Sequence, residues 1–147
     1  MANQRIDISQ LSLPELQELH QQLSQEVESF TTNMMALQQT AGRFASAGQS
    51  IEALKEREEG QPVLIPMTES LYVSGTLDSV ETVLLEIGTG YYIEKDIDGG
   101  IDYAKRKVNL VRDKVEQLAQ IIQTRRAALT QIQAFATEKQ HQAEATA

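Results

Sequence analysis

The sequence predicts a mainly α protein with a small β part: two long helices, paired antiparallel as a coiled coil, joined by two β-hairpins. Three observations predict it. Leu16, Leu23, Phe30, Leu37, Phe44 and Ile51 recur every seven residues near the N-terminus. Ile101, Val108, Val115, Ile122, Leu129 and Ala136 do the same near the C-terminus, with Ala104, Val111, Leu118 and Ile132 filling the intervening steps. Between the repeats, residues 63–95 switch to short β-branched runs punctuated by glycine. An apolar repeat of seven makes a narrow seam that only another helix can cover. Two seams of similar length, separated by a non-helical joint, fold the chain back on itself.

Helix one is expected over about 13–59. Ser12 and Glu15 form a capping-box pair, Pro14 lies in the first turn, and Leu11 and Leu16 have the spacing of a hydrophobic staple. Gly60 and Pro62 stop it. Its ~46 residues would extend about 69 Å at 1.5 Å per residue. Gly42 and Gly48 are soft spots, each costing about 1 kcal/mol against Ala.

The hairpins are expected over about 62–95. Val63-Leu64-Ile65 is ended by Pro66, and Leu71-Tyr72-Val73 leads into Ser74-Gly75. Val83, Leu85 and Ile87 alternate with Thr82, Leu84 and Glu86, the period of a strand with one drier face. Gly88-Thr89-Gly90 is a turn and Tyr91-Tyr92-Ile93 the returning strand. Isolated hairpins are marginal in water and leave edges open, so this segment calls for partner chains. Tyr91 and Tyr92 suit a subunit interface, since tyrosine is favoured where one end stays wet.

Helix two is expected over about 97–139, capped by Asp96 or Asp98, with 140–147 a frayed polar tail. The whole of 1–147 reads as a single domain.

Composition narrows the function classes. With no Cys, disulfides and thiolate metal sites are excluded. MANQRIDISQ holds no apolar signal region, and no apolar run approaches the ~20 residues that span a bilayer. Cytoplasm, and also nucleus, is the expected location, with no membrane partner. The net charge of −8 argues against nucleic acid as a main partner. It is unevenly spread: residues 60–98 carry one Lys/Arg against seven Asp/Glu, residues 99–147 eight against five. Lys105-Arg106-Lys107 is the basic exception, read as a solvated helix face.

No catalytic or cofactor site is legible. Gly88-Thr89-Gly90 lacks the third glycine of a dinucleotide loop, because Ile93 holds that position, and strand residues follow it. Asp96-Ile97-Asp98-Gly99 lacks the ligand set of a calcium loop. His20 and His141 have no partner at metal spacing, and no nucleophile–base pair can be drawn. The expectation is a protein without enzyme activity, metal or cofactor.

With these elements placed, the β-segment words carry a resemblance. EIGTGYYIEK, Glu86 to Lys95, and VLIPMTESLYVSGTL, Val63 to Leu77, resemble the α-class subunits of prefoldin, and within them the eukaryotic fifth-subunit branch. The likeness covers the chain from about residue 6 to 139. Ser74 departs from the Pro that often precedes the glycine of the LYVxG word.

The resemblance implies a hexamer of two α-class and four β-class subunits, whose hairpins assemble into a β-barrel platform. It implies coiled-coil tips that hold unfolded proteins such as actin and tubulin and pass them, without ATP, to the cytosolic group II chaperonin. Client-binding candidates at the tip are Leu11, Leu13, Leu16, Leu19, Ile132 and Phe135. Interface candidates in the first hairpin are Leu64, Leu71, Tyr72 and Val73. In the second they are Val83, Leu85, Ile87, Tyr91, Tyr92 and Ile93. A rival expectation is a structural coiled-coil adaptor in another prefoldin-like assembly, with no client of its own.

The seam repeat also predicts a register. If facing residue numbers total roughly 155, Leu23 meets Ile132, Leu37 meets Leu118 and Phe30 meets Arg125. Arg125 is the charged step in helix two's seam and Glu26 the matching step in helix one. The two are expected to form a partly shielded ion pair, with the guanidinium also able to lie over Phe30.

Overall fold

The first helix starts where its capping residues are. Ser12 donates both its backbone N–H and its Oγ–H to Glu15 Oε2, at 2.8 and 2.6 Å, and α1 runs from Leu13 to Ala53. The computed structural model describes residues 8–145; residues 1–7, and Thr146 and Ala147 of the expected tail, lie outside them.

α1 ends earlier than the expected 59. Leu54–Glu56 is a 3-10 turn and Arg57 is extended. Leu54 is the last apolar residue of the seam, and beyond it the hairpin base competes with the helix for the chain. Gly60 then adopts φ +74°. Its N–H donates to the Leu77 carbonyl at 2.7 Å, closing the base of the first hairpin.

The strands are β1 (Pro62–Pro66), β2 (Tyr72–Thr76), β3 (Thr82–Gly88) and β4 (Tyr91–Asp96). β1 pairs antiparallel with β2, Leu64 opposite Ser74. β3 pairs antiparallel with β4, Leu85 opposite Ile93. A bulge at Ile87 precedes a turn in which Gly88, Thr89 and Gly90 all have positive φ. Gly88 and Gly90 adopt this backbone without strain, whereas Thr89, at φ +49°, holds it at a cost that glycine would not incur. Each sheet has two strands, and the described residues close no barrel.

The second helix, α2, spans Ile97–Ala145. Asp96 caps it, its Oδ1 accepting from the Gly99 N–H at 3.0 Å. The segment expected to fray, 140 to 145, is helical. Its Gln, Ala and Glu residues are good helix formers despite their polarity.

The chain forms two compact units. In residues 39–112, Ile51, Ile97 and Ile101 make a buried cluster against which Leu54, Val83 and Leu85 pack. α1 and α2 approach closely here: a Cβ placed on Gly48 would lie 3.1 Å from the Ala104 Cβ, and one on Gly100 would lie 3.4 Å from Ile51 and 2.9 Å from Val83 of β3. Lys55 Nζ and Asp98 Oδ1, 2.6 Å apart, tie the end of α1 to the start of α2.

The second unit comprises the described residues up to 38 and from 113. Leu16, Leu23 and Ile132 form its core, with Ile8, Leu11, Leu19, Leu129, Phe135 and Ala136 packed around them. Leu23 and Ile132 share this cluster with Leu16, one heptad away, and the facing pairs Glu26–Arg125 and Gly48–Ala104 total 151 and 152, a few residues short of the register's roughly 155.

Candidate functional site

The β-hairpins carry apolar side chains with nothing to pack on. Leu64, Leu71, Tyr72 and Val73 are all exposed, Leu64 at 69%. Ile87, Tyr91 and Tyr92 are exposed in the second hairpin, Tyr91 at 70%. So many exposed large apolar side chains on one short segment mark a surface that a partner covers.

Three of the expected interface residues stand differently. Val83 and Leu85 turn inward onto the helix cluster, and Ile93 is half-buried. Strand alternation explains this: the face of β3 that holds 83 and 85 covers the helix bases. The opposite face puts Leu84 outward, 71% exposed. Leu84, with exposed Ile65 and Met67, belongs to the apolar surface and was missed from sequence. A continuous Val-Leu-Leu run does not say which face is dry; the packing of β3 on Ile51 and Ile101 does.

The end of the coiled coil where α1 begins is more closed than expected. Leu16 and Ile132 are fully buried, at 0% and 1% exposure, so they form the core there and are not available to a client. Leu11, Leu13, Leu19 and Phe135 are half-buried. Ile8, in the 3-10 turn Ile8–Gln10, packs on the same cluster. Lys139 Nζ donates to the Leu11 carbonyl, a cross-helix tie that no sequence pattern announces. The Ser12 hydrogen bonds hold the Glu15 carboxyl below its ordinary range, with a smaller contribution from Lys139.

The seam charges come together. Arg125 Nε lies 3.6 Å from Glu26 Oε2, the side chains 46% and 49% exposed. Among the described residues the cation–ring contacts fall on Tyr103, from Arg106 at 6.0 Å and Lys107 at 5.4 Å, and not on Phe30. At the other unit, Lys55 holds Asp98 below the usual carboxylate range through their hydrogen bond, and is itself pushed up by it.

Among the described residues no group of three His, Cys, Asp or Glu is placed to hold a metal ion, and no helix is long and apolar enough to cross a membrane. What the arrangement offers is surface: bare hairpin strands in one unit and a capped helix end in the other.

Residues 23–142 match the family model described as "Prefoldin subunit". The chain belongs to the prefoldin family. It is 35% identical over 136 residues to "Prefoldin subunit 5" of Homo sapiens, covering 92% of this chain and 88% of that protein. It is also 35% identical over 120 residues to "Prefoldin subunit 5" of Arabidopsis thaliana, covering 82% and 80%. A "Probable prefoldin subunit 5" of Schizosaccharomyces pombe is 34% identical over 139 residues, covering 93% and 90%. Among solved structures, a filamentous PFD from Methanocaldococcus jannaschii superposes with a TM-score of 0.71 at 18% identity, covering 80% of this chain and 97% of that one. That likeness speaks for the fold: two long helices joined by two small antiparallel hairpins, as in other members of the prefoldin family.

Proposed function

We propose that the chain is a non-catalytic subunit of a prefoldin-type hexamer, an ATP-independent holdase of the cytoplasm that is also present in the nucleus. The observation that carries this reading is the exposed apolar surface of the hairpins. Leu64, Tyr72, Leu84 and Tyr91 lie on two-stranded sheets whose outer faces are bare. Two-stranded ribbons of this kind need other strands to be stable. The hairpins therefore join those of one further α-class and four β-class subunits, building a barrel platform that closes their edges.

Client capture is assigned to the helix end. The half-buried Leu11, Leu13, Leu19 and Phe135 offer the contact there, around the closed Leu16–Ile132 core. Unfolded chains such as actin and tubulin bind on this apolar rim and pass to a group II chaperonin. Native mass spectrometry of the endogenous complex tests the assembly: a hexamer with a second α-class subunit is expected, and a homo-oligomer or monomer overturns it. Suppression of client aggregation tests the holdase role.

The adaptor reading has one observation in its favour. The helix end is covered by Ile8 and by the Lys139 tie, so less apolar surface is free there than the sequence alone implies. If Leu13→Ser with Phe135→Ser leaves aggregation suppression unchanged in an intact hexamer, the adaptor reading replaces the holdase.

A further inference from the structure

The basic run of α2 is not absorbed by either surface above. Within residues 39–112 a groove of about 340 Å³ lies between the two helices, with Ala104 and Val108 on α2 and Phe44, Ala45 and Gly48 on α1. It exists because three of those residues are small. Gly48 and Ala104 bring the backbones close, and Ala45 leaves the rim low.

Two cations flank this apolar floor. Arg106 is bonded to Asp102 at 2.8 Å and lies over Tyr103, and Lys107 lies over the same ring. Lys105 and Arg112 line the groove, are exposed, and have no ion-pair or hydrogen-bond partner among the described residues. They stand seven residues apart, two turns on one face of α2, about 10.5 Å along the axis. Buried Val108 lies between them.

We infer that this groove docks an amphipathic helical segment of a partner protein, with two carboxylates seven residues apart and a leucine or phenylalanine between them. Charge complementarity sets the choice. The spacing of the carboxylates matches Lys105 and Arg112, and an apolar side chain three or four residues beyond the first carboxylate points into the groove. The cavity takes one or two such side chains. Glu52, the carboxylate of the lining, disfavours a uniformly acidic stretch, so the partner is alternately charged and apolar rather than polyanionic. Nucleic acid does not fit, because a chain of net charge −8 repels a continuous phosphate backbone. The site is separate from the hairpin faces and from the helix end, and does not depend on holdase activity.

The test uses the full-length chain co-purified with its partner subunits and a fluorescein-labelled helical peptide carrying two glutamates seven apart with leucines between. Anisotropy should show saturable binding that weakens about tenfold in Lys105→Glu/Arg112→Glu, while a lysine-for-glutamate peptide gains affinity for that variant. Ala45→Phe, on an exposed position that leaves the seam intact, should weaken binding of the glutamate peptide by a similar factor. Circular dichroism checks that both variants keep their helix. Absence of binding to the parent complex, or binding indifferent to both variants, overturns the inference. Loss of binding in Leu13→Ser/Phe135→Ser overturns it as well, by placing the peptide at the helix end; a complex that binds the peptide yet suppresses no aggregation supports the groove and refutes the holdase.

Discussion

Gly48 and Gly42 offer a matched pair that tests how closely the helices pack. Both lie inside α1, and a helical glycine costs about 1 kcal/mol against alanine. At Gly42 an added Cβ meets nothing within 4 Å, so Gly42→Ala should gain that 1 kcal/mol. At Gly48 the added Cβ meets the Ala104 Cβ at 3.1 Å, where carbons prefer 3.5–4.0 Å. Neither methyl can rotate away, so the helices must part by a few tenths of an ångström, loosening Ile51 and Ile101. Overpacking of this kind costs about 1–3 kcal/mol, which cancels or exceeds the propensity gain. A chain of this size shifts its melting temperature by about 2–4 °C per kcal/mol. Thermal melts of the full-length chain, followed by circular dichroism at one concentration, should show Gly42→Ala rising by that amount. Gly48→Ala should stay level or fall. Adding Ala104→Gly to Gly48→Ala removes the clash and should return the melt to the parent value, a coupling that a double-mutant cycle isolates. If Gly48→Ala stabilises as much as Gly42→Ala, the close approach is not real.

Other outcomes follow from the hairpins and the cap. Expressed alone, the chain should self-associate through its bare strands, and Leu64→Ser/Leu84→Ser should reduce this in sedimentation; a stable parent monomer at micromolar concentration contradicts the account. Gly90 has φ +77°, so Gly90→Val should strain the turn and destabilise the hairpin by about 1–2 kcal/mol, read from a lower melting temperature. Glu15 has its folded pKa depressed, so its contribution is present above the unfolded glutamate pKa and is lost as pH falls through the folded value. Helicity at the start of α1 should therefore fall as pH drops below the ordinary glutamate range; Ser12→Ala, which keeps the backbone N–H bond, should reduce that acid dependence and Glu15→Gln should remove it, both read by amide exchange at residues 13–16.

The helices were legible because a seven-residue repeat has one physical reading, and the hairpins because glycine turns break β-branched runs. Helix ends were less so. Residues 55–59 are good helix formers, and the hairpin base at Gly60 and Gln61, once the seam has stopped at Leu54, draws them out of α1. At residues 140–145 polarity suggested fraying, yet composition that favours helix needs no seam to stay helical. The facing of β3 was half legible: alternation grouped Val83 with Leu85, but only packing on Ile51 shows that group is the covered one. Of the six helix-end residues, Leu16 and Ile132 share a cluster with Leu11, Leu19 and Phe135, while Leu13 is half-buried outside it. Their exposure was not legible, because the covering comes from Ile8 and Lys139, outside the repeat.

The Glu26–Arg125 pair separates register from stability. At 3.6 Å with both side chains about half exposed, the pair is a partly hydrated contact worth about 0–1 kcal/mol. Leucine at position 125 would instead cover the seam between Leu118 and Ile132, and half the burial of a leucine side chain is worth about 1 kcal/mol. Arg125→Leu should therefore raise the melting temperature by about 2–4 °C at most, even though it leaves Glu26 without its partner, because that carboxylate keeps its water. What the substitution gives up is a polar mark that only one alignment of the helices satisfies. The chain has no cysteine, so Leu23→Cys with Ile132→Cys introduces a clean cross-linking pair inside one core cluster. In the parent background that pair should couple in high yield and a pair offset by one heptad beyond the cluster, Phe30→Cys with Ile132→Cys, in low yield. With Arg125→Leu the offset pair should gain yield while the melt rises. A melting temperature that drops by several degrees would instead make the ion pair a source of stability, and unchanged cross-linking would leave register to the apolar seam alone.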